Sequence, residues 1–215
     1  MAPQDRAAQI LDVAARLLMQ EGFTEVSMER LGREAGISKA LVYNYFPNRA
    51  DLLRALLERE VGALRDRQAV AIAQAHGFED LVRQTTRLYI EHIQSRGPLL
   101  NKLWAEPAVA RLLADDHVTG RERAMRFMAR QVAKEYGLPQ AVALPAVDMQ
   151  MALTEAAAQH LSRAQGDIDF ATEICVTLLL GGLEALARTY GQSRGEGTAR
   201  AARAGARRRT EAREA

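Results

Sequence analysis

The stretch AGISKALVYNYFPNRADLL, residues 35–53, leaves little freedom in how it can fold. Gly36 can take the left-handed backbone that closes a preceding helix, and Ser38 can accept a hydrogen bond from the first amides of a new one. Pro47 has no N–H and drives Phe46 out of the helical region. Asn48 followed by Asp51 reads as a reciprocal cap that starts another helix. Between these signals stands a helix of only seven residues, Lys39 to Tyr45, about 10 Å long at a rise of 1.5 Å per residue.

Upstream, Ile10, Leu11, Ala14, Leu17 and Leu18 recur at helical spacing after Asp5, a capping residue, and Gly22 ends the run. This predicts a first helix over 6–20. Ser27 caps MERLGREA, in which Leu31 and Ala35 share one face, so a second helix covers 28–35. Only three residues separate it from the short helix. Two short helices joined by a glycine-containing turn of that length form a helix-turn-helix. Its second helix is the one that enters a major groove, roughly 12 Å wide.

From Ala14 through Leu53 the residues F-T-x-V-S-M-x-x-L, A-G-I-S and V-Y-x-Y-F-P, with Arg49 before D-L-L, resemble the DNA-binding domain of the tetracycline-repressor (TetR/AcrR) family of bacterial transcription regulators. The resemblance covers most of the first 60 residues. It implies a three-helix N-terminal DNA reader followed by a larger helical domain that binds a small molecule and dimerises. By position it implies that Ile37, Val42 and Phe46 pack inward while Lys39, Ala40, Tyr43 and Asn44 face the groove. It also implies phosphate contacts from Ser27, Ser38, Tyr43, Tyr45 and Arg49.

The chemistry of these side chains agrees. A tyrosine hydroxyl donates to a phosphate oxygen, and Arg49 adds a charge beside the amino end of the next helix, where anions are favoured. Lys39 can donate to guanine O6 or N7, and Asn44 can pair with adenine. Tyr45, next to Phe46, is open to either DNA contact or the small core. Two positions depart from the family's pattern. Leu41 stands where threonine is often found, and gives an apolar contact to a thymine methyl or simply packs. Glu29, on the exposed face of the second helix, repels phosphates unless it accepts from cytosine N4. Residues 1–60 hold eight basic and nine acidic side chains. Affinity must therefore come from where the charges sit, not from their sum.

The chain as a whole is rich in alanine, leucine and arginine, with only five phenylalanines, five tyrosines and one tryptophan. Its apolar residues are spaced for helices throughout, which predicts an all-α protein. A fourth helix runs from Arg49 towards His76, its buried stripe marked by Leu53, Leu56, Leu57, Val61, Leu64 and Ile72. Others cover 79–95, 99–105, 107–114, 120–136 and 146–164, separated by Gly97, Pro98, Pro107, Gly120, Gly137, Pro139 and Pro145. The expected organisation is a DNA-binding domain over 1–48, a helical effector-binding and dimerisation domain over 49–192, and a basic tail over 193–215. The tail carries seven arginines and three glutamates, too few large apolar groups to form a core. It is either a solvated extension or an added phosphate contact.

The last helix, capped by Asp167, contains ICVTLLLGGLEALA over 174–187, with Thr177 and Glu184 its only polar side chains. A helix apolar nearly all round is covered on more than one side. Fourteen residues are too few to cross a bilayer, so a protein interior is the expected cover rather than a membrane. One side packs within the subunit, and Leu178, Gly181, Gly182 and Ala185 are left for a partner. Paired with helix 146–164 it makes half of a four-helix homodimer interface. A two-fold dimer presents two recognition helices, so its operator in double-stranded DNA is an inverted repeat.

For the small-molecule effector, Tyr89, His92, Trp104, Phe127, Met128, Met151 and His160 combine apolar bulk with a few polar tips, as ligand cavities do. Each also suits ordinary core packing. A mainly apolar or amphipathic ligand is expected. Catalytic signals are weak. Asp115, Asp116 and His117 are adjacent in a loop, which does not converge ligands on one ion. There is no phosphate-cradling glycine loop or nucleophile elbow, and Cys175 sits in the most apolar helix, where a thiol is inert. No cofactor or metal is expected. A lone cysteine and no charged-then-apolar leader point to the cytoplasm.

Overall fold

The computed structural model describes residues 3–22, 26–164 and 166–191; for residues 3–4 and 107–119 it describes the backbone alone. Eight α-helices and no strands make up these residues: α1 Pro3–Glu21, α2 Met28–Glu34, α3 Lys39–Tyr45, α4 Arg49–Gln74, α5 Phe78–Ala105, α6 Pro107–Tyr136, α7 Gln140–Ala164 and α8 Ile168–Tyr190. The tail over 193–215 and the Asp115, Asp116 and His117 side chains lie outside the description.

The caps read from the sequence set the starts of α2, α3 and α4, whereas Asp5, expected to cap the first helix, lies in the first turn of an α1 that begins at Pro3. Ser27 Oγ accepts from Arg30 N at 3.2 Å, Ser38 Oγ from Leu41 N at 3.1 Å and Asn48 Oδ1 from Asp51 N at 2.9 Å. Gly36, at φ +66°, turns the chain between α2 and α3 in a conformation that L side chains rarely adopt. The Asn48 and Asp51 cap is reciprocal in an altered form: the Asp51 carboxylate accepts from the Asn48 side-chain amide at 2.8 Å.

Three expected breaks are absent. Gly97 and Pro98 lie inside a continuous α5, and the pieces 107–114 and 120–136 are one α6. Proline inside a helix costs about 3 kcal/mol. Continuing α5 buries Leu99, Leu100 and Leu103 in a core that the helix would otherwise miss, and each such leucine contributes about 1.5–3 kcal/mol. Burial wins, and Pro98 remains at the surface. α7 likewise begins at Gln140, before Pro145, because Ala143 on the near side of the proline and Ala146 and Val147 beyond it enter the same core.

Four apolar clusters organise the molecule. The first unites the apolar residues of α1 between Ile10 and Leu18, Met28 and Leu31 of α2, Val42 of α3, Phe46 just after it, and Leu52, Leu53, Leu56 and Leu57 of α4 with the three leucines of α5. Residues beyond 48 thus complete the core on which the helix-turn-helix stands. The second gathers Ala129 and Val132 of α6, Ala143 to Val147 of α7 and Leu183 of α8. The third and fourth join α5 to α8, through Ile90 with Ala171 and Cys175, and through Val82 with Val176 and Leu179. Ion pairs of Arg83 with Glu173 and of Arg87 with Asp169 rim this seam.

α8 extends beyond its apolar core to 23 residues, with mean hydropathy 1.6 in its most apolar window. By length and composition it is long enough to cross a bilayer, so the expectation that it is too short does not hold. Its buried face, Ala171, Thr172, Cys175, Val176, Leu179 and Leu183, is packed within the chain. The opposite face is not.

Candidate nucleic-acid interface

The recognition helix is seated on α2 through a glycine. A Cβ added to Gly32 would come within 2.9 Å of Ile37 O and 3.2 Å of Lys39 N, so only glycine admits the first turn of α3 this close. Ile37 N in turn donates to Gly32 O at 2.8 Å. From below, Val42 and Phe46 anchor α3 in the first core, Val42 fully covered. Spaced four apart, they take one face of the helix.

That spacing leaves the other face outward. Lys39, Ala40, Tyr43 and Asn44 are all exposed, with Tyr43 at 42%. Leu41, Tyr45 and Arg49 are half-buried, and Tyr45 packs against the core. Ser27 and Ser38 stand at the rim, each with its oxygen committed to a helix cap. A serine hydroxyl that accepts from a cap amide retains its own proton to donate, and that proton can reach a phosphate. Glu29 is exposed and lies 3.8 Å from the Lys39 ammonium. The surface thus offers tyrosine and serine hydroxyls, amide and ammonium donors, and one carboxylate.

Residues 10–56, the span of this platform, match the model of the bacterial regulatory proteins of the tetR family. This segment is a tetR-family domain. Over 57 residues it is 39% identical to the nucleoid occlusion factor SlmA of Glaesserella parasuis serovar 5, covering 26% of this chain and 28% of that protein. Over 75 residues it is 39% identical to the HTH-type transcriptional regulator BetI of Rhizobium meliloti, covering 35% and 36%. The chain therefore spans about a third of the length of these curated relatives. The fold extends further than the sequence likeness. A TetR-like transcriptional regulator from Rhodococcus sp. RHA1 superposes with a TM-score of 0.68 at 19% identity, covering 85% of this chain and 98% of that one.

The residues expected to line an effector site are distributed over the helical body. Met128 and Met151 both pack on the second cluster, and Met128 also reaches the fourth. Tyr89 packs on the third, where burial raises its hydroxyl to a pKa of about 12. Trp104 packs on the first cluster, Phe127 is half-buried on α6, and His160 is exposed on α7. His92 is buried, with no hydrogen-bond partner for its Nε2 among the described residues, and burial lowers its pKa. The seven residues do not meet in one cluster. Among the described residues no group of His, Cys, Asp and Glu is arranged to hold a metal ion.

Leu178, Gly181, Gly182 and Ala185 all lie on the uncovered face of α8, Leu178 at 54% exposure. A Cβ added to either glycine would meet nothing within 4 Å. Sequence reasoning did not single out Phe170 and Ile174 of α8 or Met149 and Leu153 of α7, which are also exposed large apolar residues. Their helical spacing was visible, but which of two apolar faces remains bare is decided only by packing. It also missed Lys102, whose ammonium reaches the end of α1. No local signal reports a contact over more than 80 residues.

Proposed function

We propose that this chain is a cytoplasmic transcriptional repressor that binds an inverted-repeat operator as a homodimer and is released by a small, mainly apolar or amphipathic effector. The observation that carries this is the outer face of α3. Lys39, Tyr43 and Asn44 are exposed on a helix whose opposite side is pinned by Val42 and Phe46. In this reading residues 1–48 contact DNA and 49–192 hold effector and partner.

The dimer is supported by the bare face of α8 and α7. Exposed large apolar residues concentrated on two packed helices mark an interaction site, and a two-fold pairing of two α7–α8 pairs makes a four-helix interface. A bilayer around α8 would have to accommodate Asp169, Glu173, Glu184 and Arg188; a second copy leaves the two acids in their ion pairs with Arg87 and Arg83. Effector binding acts by favouring a dimer geometry whose two α3 helices no longer match successive major grooves. α4 and α5 transmit it, since both continue from the helical body into the first core.

The test is selection from a random duplex library at near-physiological salt, followed by sequencing of the bound fragments. An enriched inverted repeat supports the proposal and supplies the operator on which candidate effectors are screened by release. Binding without enrichment that fades as salt rises would leave only phosphate contact and overturn it.

A further inference from the structure

We propose that Glu29 is a specificity-determining residue, which with Lys39 reads one G·C base pair in each half-site. The inference rests on the DNA-reading function above and adds a residue outside the recognition helix.

Glu29 and Gly32 are three apart on α2 and so share one face. α3 begins on that face, its first residue touching the place where Gly32 has no Cβ. Seating α3 there brings the Lys39 ammonium to 3.8 Å from Glu29 Oε2, with both side chains exposed and Lys39 on the same face of α3 as Tyr43, four residues on. The juxtaposition follows from the helix-turn-helix geometry itself.

A carboxylate is an acceptor only, and an ammonium a donor only. Facing DNA, a carboxylate is repelled by every phosphate, and the exposed Lys39 ammonium at 3.8 Å offsets this only weakly, so a donor on a base edge would be the stronger partner for Glu29. In the major groove cytosine N4 is such a donor, and guanine O6 and N7 are the acceptors that a lysine takes. These groups lie side by side on the edge of one G·C pair. Glu29 accepts from cytosine while Lys39 donates to guanine, and the pair replaces the weak, solvated contact that the two side chains make with each other. Glu29 also penalises sequences with an acceptor at that position, because two acceptors then face each other unpaired.

The experiment is the same library selection run in parallel on wild type, Glu29→Ala, Lys39→Ala and the double variant, with circular dichroism to confirm that each is folded. We expect Glu29→Ala to relax a G·C preference about tenfold at one position per half-site and to leave the other positions unchanged. Lys39→Ala should relax that same position, and the double variant should relax it little further. A Glu29→Ala profile identical to wild type, with tighter binding to every sequence, would make Glu29 a mere repelling surface charge and overturn the inference. Relaxation at a position that holds an A·T pair would overturn it too. In both cases wild type still selects an inverted repeat, so the DNA-reading function stands. No selection by wild type overturns that function and the inference with it.

Discussion

Lys102 of α5 donates its ammonium to Leu18 O at 2.7 Å and to Met19 O at 3.1 Å, in the last turn of α1. The final carbonyls of a helix carry its negative end, and although Leu18 O also accepts from Gly22 N at 3.2 Å, a cation there is stabilising. Leu99, Leu100 and Leu103 bury beside it in the first core. The second half of α5 is therefore fastened to the DNA-reading end both by packing and by charge.

Replacing Lys102 with Met keeps the aliphatic stem and removes the charged donor. The variant should lose about 1 kcal/mol of stability, read as a lowered urea midpoint with an unchanged slope. An unchanged midpoint would mean that water replaces the ammonium without cost.

Tyr43 and Val42 are neighbours with opposite fates. Val42→Ala deletes two methyl groups from a fully buried site and should cost about 2 kcal/mol of stability. Tyr43→Ala should change stability by less than about 0.5 kcal/mol and weaken binding across all duplex sequences by a similar factor, as lost phosphate contacts do. Thermal melts and titrations against several duplexes separate the two. A melt lowered by Tyr43→Ala as much as by Val42→Ala would put the ring in the core.

At Gly32 two effects compete. Alanine is favoured over glycine inside a helix by about 1 kcal/mol, but its Cβ would meet the backbone at Ile37 O and Lys39 N. Backbone atoms cannot rotate aside, and such overpacking costs about 1–3 kcal/mol. Gly32→Ala should therefore be destabilising on balance, and should weaken DNA binding further by lifting α3 off α2. A variant more stable than wild type in urea would show that α3 has a second comfortable seat.

How far the sequence disclosed these features depended on the range of the interactions. Ser27, Ser38 and Asn48 cap amides three residues away, so the ends of α2, α3 and α4 were legible from local pattern. Gly97, Pro98, Gly120 and Pro145 were misread as breaks because their local cost was visible and the compensating burial was not. Leu99 enters a core built mostly from residues 10–57, and no window of neighbours contains that information. The outward set of α3 was legible because Val42 and Phe46 fix the inward face. The effector residues were chosen by chemistry alone, which cannot say that Trp104 belongs to one core, Tyr89 to another and His160 to the surface.

His92 supplies a pH dependence. Burial lowers its pKa from 6.5; Glu60 acts in the opposite direction, while Arg67 and Arg96 add to the lowering. The unfolded chain then binds a proton near pH 6.5, which the folded chain takes up only at lower pH. Stability from the neutral ring is complete above that value and is lost as pH falls below it. His92→Gln removes the titration. The difference in urea midpoint between wild type and this variant should be largest near pH 7.5 and narrow on acidification below about 6.5. A difference independent of pH would mean that His92 titrates alike in both states.

The bare face of α8 makes the last prediction. Phe170, Ile174 and Leu178 follow one another at four-residue spacing, all exposed, and Met149 and Leu153 are exposed on α7. Leu178→Glu places a charge at the middle of this stripe. A buried, unpaired carboxylate costs several kcal/mol and in a two-fold interface it is introduced twice, facing its own copy if the axis passes close by. Because Leu178 is exposed in the single chain, the variant should fold with an unchanged helical signal and sediment as a monomer, whereas wild type sediments as a dimer. Its affinity for an inverted-repeat duplex should fall much more than its affinity for a single half-site, since only the former needs two recognition helices held together. A variant that remains dimeric would move the interface away from this face of α8.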